Sequence, residues 1–506
     1  MLRIDSAGFL GALFFAAGLA GAWGADPTWR HLSTQNGDLP TPNDGKEQTS
    51  SIVLDIDKDG TNDFVITERT RAPSVVWYRR GATGWSRYVI EDQPLHIEAG
   101  SCFMDVDGDG ALDIIAGGDW ASNEVWWWEN PYPNFDPKVP WKRHAIKSLG
   151  AAKHHDQIVG DFLGTGQDQL VFWNQDAHKL YLATVPEHPR EAASWPCTEI
   201  YSYNTDREPP QRATYPSWKG VNEHEGLAKA DIDGDGKLDI IAGGLWFKHV
   251  GGMRFEPHVI DATYAMSRCA AGQLIRGGRP EVVLASGDGA GPLVMYQWQR
   301  ETWAPKVLLP RVESGHSLAI LDVDGDGNLD IFCAEMRLNG GNPESKCYIL
   351  YGDGKGNFRT TVVATGLDFH ESKMADLDGN GALDILCKPY NYQTPRLDIF
   401  LNEGPAPQPR FPGASFTGPL GLDLYSLRAV LATNVTAGLA LAKALGFDEV
   451  EVPELHRQTP ITFRALLDQN ALKCAALAAP YDGTSIRFRG RKRELSLIFR
   501  GVCAPG

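Results

Sequence analysis

A nine-residue acidic pattern recurs along this chain and leaves few folds open to it. Five copies of D-x-D-x-[DN]-G-x-x-D are intact, and each runs straight into an apolar stretch: DIDKDGTNDFVI from Asp55, DVDGDGALDIIAGG from Asp105, DIDGDGKLDIIAGG from Asp231, DVDGDGNLDIFCAE from Asp322 and DLDGNGALDILCKP from Asp376. Two copies are eroded, DFLGTGQDQLVFW from Asp161 and QLIRGGRPEVVLAS from Gln273. The starts are separated by 50, 56, 70, 42, 49 and 54 residues. A step of about 40–50 residues is one four-stranded blade. The repeat therefore predicts a mainly β chain, a seven-bladed β-propeller over residues 28–404.

Each unit supplies the remaining strands of a blade. An apolar stretch precedes the loop, as in Ser51–Leu54 and Leu318–Leu321. A third stretch alternates aromatic residues, as in Val75–Tyr78 and Cys347–Tyr351, and a fourth pairs an aromatic with β-branched residues, as in Trp85 to Ile90. Trp126–Trp128 repeats a strand position, so packing between blades is expected there rather than a sugar-stacking platform. The seventh unit stops at Asn402 without its fourth strand, whereas Thr28–Ser33 carries that strand's pattern. This N-terminal segment is expected to complete the last blade, removing the exposed edges of an open ring.

The acidic pattern is calcium chemistry. Oxygens at positions 1, 3, 5 and 9 converge when the chain curls, Gly at position 6 permits the curl, and the carbonyl of position 7 adds a ligand; Ca²⁺ prefers six to eight such hard oxygens. The candidate ligands are Asp55, Asp57, Asp59 and Asp63; Asp105, Asp107, Asp109 and Asp113; Asp231, Asp233, Asp235 and Asp239; Asp322, Asp324, Asp326 and Asp330; and Asp376, Asp378, Asn380 and Asp384. An EF-hand would need Glu at position 12, where this chain has Ile66, Ala116, Ala242, Cys333 and Cys387. The loops at Asp161 and Gln273 lack the second and third carboxylates and are expected to stay empty. About five Ca²⁺ are thus expected, and their +10 would offset most of the formal charge of −16. The acidity is then mostly ligand, and its sign argues against nucleic acid as a partner.

These loops, with the strand DIIAGG, resemble FG-GAP/VCBS-type repeats, the units of integrin-alpha-like propellers. The resemblance implies the fold and the calcium. It implies no single activity, because such repeats occur in adhesion modules, lectin-like proteins and carbohydrate-active enzymes.

Residues 1–24 read as a secretory signal: Arg3 precedes an apolar run from Phe9 to Ala22, and Ala22-Trp-Gly24 offers small residues for cleavage. The run is short for a bilayer span, so no membrane span is expected after cleavage, and the chain is placed as secreted, periplasmic or cell-surface. The eight Cys show no CxxC spacing and are expected mainly as buried thiols.

Six or seven residues before each loop start stand Gln48, Glu98, His154 and His155, His224, His316 and His370, with Arg268 five before the fifth and His96 nearby. Asp156, Glu225 and Glu371 follow directly on three of them. In a propeller the innermost strand begins at this point, so these residues are expected at one mouth of the central channel. Imidazoles and carboxylates in a concave site suit a sugar, a transition metal or proton transfer. His155, His224, Glu225, His316, His370 and Arg268 are the candidate catalytic residues if the chain is an enzyme. Alternatively, each His caps its strand. The arrangement resembles the propeller of aldos-2-ulose dehydratase-like enzymes, without their cupin domain.

Residues 405–417 form a Pro/Gly linker. Beyond it the period changes to βαβαβ: a strand from Leu420, a helix over Thr433–Leu445, a strand at Glu449, a helix over Thr459–Asn470 and a strand from Leu472. Residues 418–483 resemble the opening of a xylose-isomerase-like barrel, covering two and a half of its eight units, and residues 484–506 form a basic tail expected from a frameshift or truncation. The expected function is a calcium-stabilised binding module for carbohydrate or protein at the His-lined mouth. A carbohydrate lyase, dehydratase or isomerase at that mouth, and a defective fusion to a sugar isomerase/epimerase, are the alternatives.

Overall fold

The computed structural model describes residues 27–203, 223–264, 266–404, 421–445, 447, 449–452, 455 and 458–477. The expected signal (1–24), linker (405–417) and basic tail (484–506) lie outside the described residues. The chain divides into two units, at 1–410 and 411–506.

The first unit holds seven antiparallel four-stranded sheets, the blades of a propeller. Their innermost strands are Gln48–Leu54, Cys102–Met104, His154–Gly160, Leu227–Ala230, Ser267–Gly272, Ser317–Leu321 and Lys373–Ala375. Each pairs with the strand that follows its loop. Register is fixed by alternation: shifting a strand by one residue would turn its buried set outward. The tryptophan run shows this. Trp126 and Trp128 pack with Val75, Trp77 and Ile90 of the first blade. Trp127 points the other way, against Leu170, Phe172 and Trp195 of the third. All three are buried, and none forms a sugar platform.

The ring closes through the N-terminus. Trp29–Ser33 pairs antiparallel with Asp398–Asn402, from Trp29 opposite Asn402 to Ser33 opposite Asp398. His31 stacks on Phe400 at 4.5 Å and its Nε2 lies 2.7 Å from Asp398 Oδ1. Cys269, Cys333, Cys347 and Cys387 are buried thiols, and burial pushes each thiol up.

The second unit is a parallel three-stranded sheet of Gly421–Asp423, Glu449–Val452 and Lys473–Leu477, in that order. Helices Arg428–Thr433 and Val435–Ala444 join the first pair of strands, and Pro460–Gln469 joins the second. Asn434 and Thr459 cap the two longer helices by accepting from Ala437 N and Thr462 N. Leu424, Leu439, Val450, Phe463 and Leu467 fill its core. No helix among the described residues is long and apolar enough to cross a membrane.

Candidate functional site

Each inner strand leads into one of the seven loops, and the second set of candidate residues stands at or before its other end. At the loop end, position 6 is a glycine in all seven copies: Gly60, Gly110, Gly166, Gly236, Gly278, Gly327 and Gly381, with φ from 79° to 91°. A side chain there would be strained. The first Asp folds the turn. Asp105 accepts from the N–H groups of Gly108 and Gly110, each at 2.9 Å. Asp161, in an eroded loop, does the same from Thr165 at 2.9 Å and Gly166 at 2.7 Å.

Position 9 staples the loop to the blade. Asp113 accepts from Val106 N at 2.9 Å and Asn130 N at 2.8 Å, and Asp330 from Val323 N at 2.8 Å and Gly352 N at 2.7 Å. In the eroded loops Gln169 and Glu281 keep the staple to Leu163 N and Ile275 N. The eroded loops differ at positions 3 and 5, which are Leu163 and Thr165 in one and Ile275 and Gly277 in the other.

Carboxylate oxygens lie within 4.8 Å of one another in five groups: Asp55, Asp57 and Asp59; Asp105, Asp107 and Asp113; Asp231, Asp233 and Asp239; Asp322, Asp324 and Asp330; Asp376, Asp378 and Asp384. These are the five intact loops. Asp63, Asp109, Asp235, Asp326 and Asn380 stand outside the groups; Asp109 and Asp235 turn to the N–H of Ala111 and Lys237. Burial pushes the position-9 carboxyls Asp63, Asp113, Asp239, Asp330 and Asp384 up to about 7. Asp57 Oδ1 and Asp63 Oδ2 are buried without a hydrogen-bond partner. Cationic side chains lean on the position-3 carboxylate, Arg190 on Asp107 at 2.8 Å and Lys248 on Asp233. Convergent hard oxygens, some unsatisfied, fit a calcium ion.

At the other end of the inner strands, extended-chain alternation sorts the histidines. His155, Glu225, His316 and His370, six residues before their loop starts, belong to one connected network. His154 and His224, seven before, turn into the blades instead. His154 is enclosed near Lys147 and Asn174, and burial, then the Lys147 charge, lower it to about 3. His224 stacks on Tyr203 at 3.9 Å, with Trp173 at 5.1 Å. The structure thus places His224 among these rings. Gln48 also turns away, donating to Gly45 O at 3.1 Å.

Arg268 sits at the centre of the network. Its Nη2 lies 2.8 Å from Asp156 Oδ1 and also meets Glu371 Oε1, and its Nη1 donates to Asp156 Oδ2 at 3.1 Å. Glu371 Oε2 takes Lys373 Nζ at 2.9 Å. Burial would raise Glu371, but Arg268 and Lys373 hold it at about 2; Arg268 and His155 likewise keep Asp156 below the carboxylate range. His155 bridges Asp156 Oδ2, 2.8 Å from Nδ1, and Glu225 Oε1, 3.4 Å from Nε2. Burial opposes its charge, yet the Glu225 and Asp156 carboxylates raise it to about 10. Burial raises Glu225. The His316 and His370 rings lie 5.0 Å apart. Lys388 Nζ meets His370 Nδ1 at 2.9 Å, and burial lowers both groups, Lys388 to about 7.

The sequence reading missed the residues that follow the second strand of each blade. Arg69 and Asp119 occupy equivalent places, fourteen residues after their loop starts at Asp55 and Asp105. Arg69 binds Glu98, and its Nε lies 3.3 Å from Asp119 Oδ2. His96 Nδ1 is 3.4 Å from the same oxygen. Arg69 also lies between two aromatic rings, 4.5 Å from the Trp120 centroid and 5.2 Å from that of Tyr390. Lys388 and Tyr390 are the seventh blade's contribution. The signal was the tail of each repeat, where apolar letters give way to ERT, GDW and KPY.

A transition metal does not fit this network. Among the described residues, three-ligand groups occur only in the loops. At the mouth the carboxylates are already engaged by Arg268, Lys373 and the protonated His155, and a cation would meet those charges.

The FG-GAP-like repeat model matches residues 278–333 and 322–387. No curated protein matches the chain. Among solved structures, the chain is similar to the V. cholerae biofilm matrix protein Bap1, at 10% identity, covering 72% of this chain and 89% of that one, with a TM-score of 0.40. It is also similar to AofleA from Arthrobotrys oligospora, at 7% identity over 74% of this chain and 87% of that one, with a TM-score of 0.37.

Proposed function

We propose that this chain is an exported propeller, held in shape by calcium at its five intact loops, that binds a saccharide at the channel mouth. The observation that carries the reading is Trp120. Its indole is 56% exposed, whereas Trp126, Trp127 and Trp128 nearby in sequence are buried. Arg69 lies over its ring, Glu98 and Asp119 pair with Arg69, and His96 meets Asp119. An exposed indole offers an apolar face for the C–H side of a sugar ring, and fixed charged groups beside it suit ring hydroxyls.

Calcium stands behind this as a support for the fold. The loops lie at the far end of the inner strands, so the ions hold the blades and do not touch the ligand. The apolar run over Phe9 to Ala22 supports export, into a compartment where millimolar calcium fills such loops. For the second unit, we propose that its parallel strands with intervening helices are the opening βα units of a barrel-type sheet.

A glycan array, run with the whole chain with and without chelator, tests the reading. Binding is expected, and Trp120→Ala should weaken it without lowering the melting temperature. A blank array, or a Trp120→Ala variant that binds as well as the parent, would sink it.

A further inference from the structure

Below the mouth the inner strands of the fourth to seventh blades enclose a cavity of about 180 Å³. That is the liquid volume of about six waters, room for roughly one small ring with a charged substituent. Its polar lining is Arg268, Lys373, His316, Ser317 and Ser372, with Met374 among the apolar groups. No Asp or Glu lines it. On a chain of formal charge −16, a cavity whose ionised lining is cationic alone is out of keeping with the surface around it.

The carboxylates that hold these cations stand outside the lining. Glu371 takes Arg268 on one oxygen and Lys373 on the other, fixing the two side by side. Asp156 takes Arg268 from the other side and is itself held by Gly226 N at 2.9 Å. Both carboxylates sit on left-handed backbone, with φ of 50° at Asp156 and 53° at Glu371. Such strain persists where surrounding contacts impose it, and it gathers at binding sites. Arg268 carries five N–H donors, and three are spent on Asp156 and Glu371.

His316 supplies a group with a vacancy. Its side chain is 5% exposed and its Nε2 lies 3.1 Å from Asp288 Oδ1. Its Nδ1 is buried without a hydrogen-bond partner. With Nε2 turned to Asp288, Nδ1 is the ring nitrogen left to meet a hydroxyl.

We propose that this cavity is an oxyanion subsite of the saccharide site: it takes the carboxylate of a uronate, or the sulfate of a sulfated sugar, on Arg268 and Lys373, with a ring hydroxyl on His316 Nδ1. The ligand class is thus an acidic saccharide. This rests on the mouth reading for the remainder of the chain of sugars, but the anion subsite is tested by itself.

Calorimetry of the full calcium-loaded chain with glucuronate, glucose 6-sulfate and glucose separates the outcomes. Glucuronate is expected to bind at least tenfold more tightly than glucose, and the sulfate arm tells whether the site reads any oxyanion or a carboxylate alone. Lys373→Gln leaves Glu371 paired with Arg268, so the fold is retained, and it should weaken glucuronate binding by about tenfold or more, the scale of a charge-assisted contact. His316→Phe should weaken glucuronate and glucose alike. Trp120→Ala should leave free glucuronate unaffected while weakening longer glycans. Glucuronate and glucose binding equally, no binding of either anion, or an indifferent Lys373→Gln variant overturns the subsite. Neutral glycans retained on the array in that case leave the mouth reading standing. Conversely, glucuronate bound through Lys373, with binding of longer glycans indifferent to Trp120→Ala, overturns the mouth reading alone.

Discussion

At one end of each inner strand, seven turns carry a left-handed glycine at the same place. At the other end, the residues five places before each loop start are Ser50, Gly100, Asp156, Gly226, Arg268, Ser317 and Glu371. Gly100 and Gly226 are left-handed, with φ of 85° and 79°, and the space is tight: a Cβ on Gly226 would stand 2.0 Å from Ser267 O. Asp156 and Glu371 adopt the same left-handed backbone with full side chains, at a cost of order 1–3 kcal/mol each. The loop end repeats because each turn solves the same problem, closing a hairpin around hard oxygens. The other end varies: three of its seven positions are charged, and Asp156, Arg268 and Glu371 join in one ion-paired set. Where a repeat protein stops repeating and accepts strain, its ring has been specialised.

The largest effect belongs to the repeating end. A ligand held at a hundred times its Kd stabilises by about 2.7 kcal/mol, and in the proposed reading five loops share that role. Chelation should therefore lower the melting temperature by roughly 10 °C or more, followed by circular dichroism with and without EGTA. Restoring calcium, but not magnesium, should restore it, because magnesium demands a tighter octahedral shell than these loops provide. An unchanged melting temperature would remove calcium from the account of the fold and leave both ends of the channel resting on packing alone.

The charge network around Arg268 predicts a pH dependence above neutrality. His155 is raised to about 10 from an unfolded value near 6.5. Between those values the native state holds a proton that the unfolded state has lost, so this group makes stability fall as pH rises. Lys388 is lowered to about 7 from about 10.5. Between those values the unfolded state holds the proton, so this group makes stability rise with pH. The two slopes, each about 1.4 kcal/mol per pH unit, oppose one another from pH 7 to 10. Each variant is therefore read against the parent's slope in denaturant melts, to which Lys147, lowered by burial to about 8, adds a further rise. Relative to the parent, Lys388→Met should shift the slope toward stability falling with pH across this range, and His155→Gln toward stability rising. Variants with the same slope as the parent would show that the two charges are not set by the network.

Much of the loop end was legible because it repeats. Blade count, the five carboxylate groups and the closing strand at Trp29–Ser33 all follow from period and alternation. The mouth was legible only in outline. His155 and His224 look alike in sequence, each beside an acidic residue, but a one-residue difference in phase sends one into the charge network and the other between Tyr203 and Trp173. Arg69 and Lys388 come from the turns after second strands, where no acidic pattern marks them. The anionic-ligand cavity draws its lining from four blades more than 140 residues apart in sequence, from Gly226 to Met374. Its cationic character emerges only when Glu371 and Asp156 are seen to stand behind Arg268, which spacing along one blade does not reveal.

The smallest effect tests what separates an intact loop from an eroded one. Asp161 folds its turn just as Asp105 does, through two backbone N–H groups. If carboxylates at positions 3 and 5 confer calcium binding, Asp161→Asn should leave the calcium stoichiometry unchanged, with a stability change within about 0.5 kcal/mol. Asp324→Asn, in the sixth blade's loop, should instead weaken or remove one ion, read by calcium titration with mass spectrometry under native conditions. Asp324 is the informative choice because it shares an oxygen cluster with Asp322 and Asp330 while the staple from Asp330 to Val323 and Gly352 stays in place. A loss of calcium on Asp161→Asn would mean that turn geometry, retained in all seven copies, suffices for binding. The difference between the two kinds of loop would then lie in affinity rather than occupancy, and the contrast between the uniform end and the specialised end of the channel would sharpen accordingly.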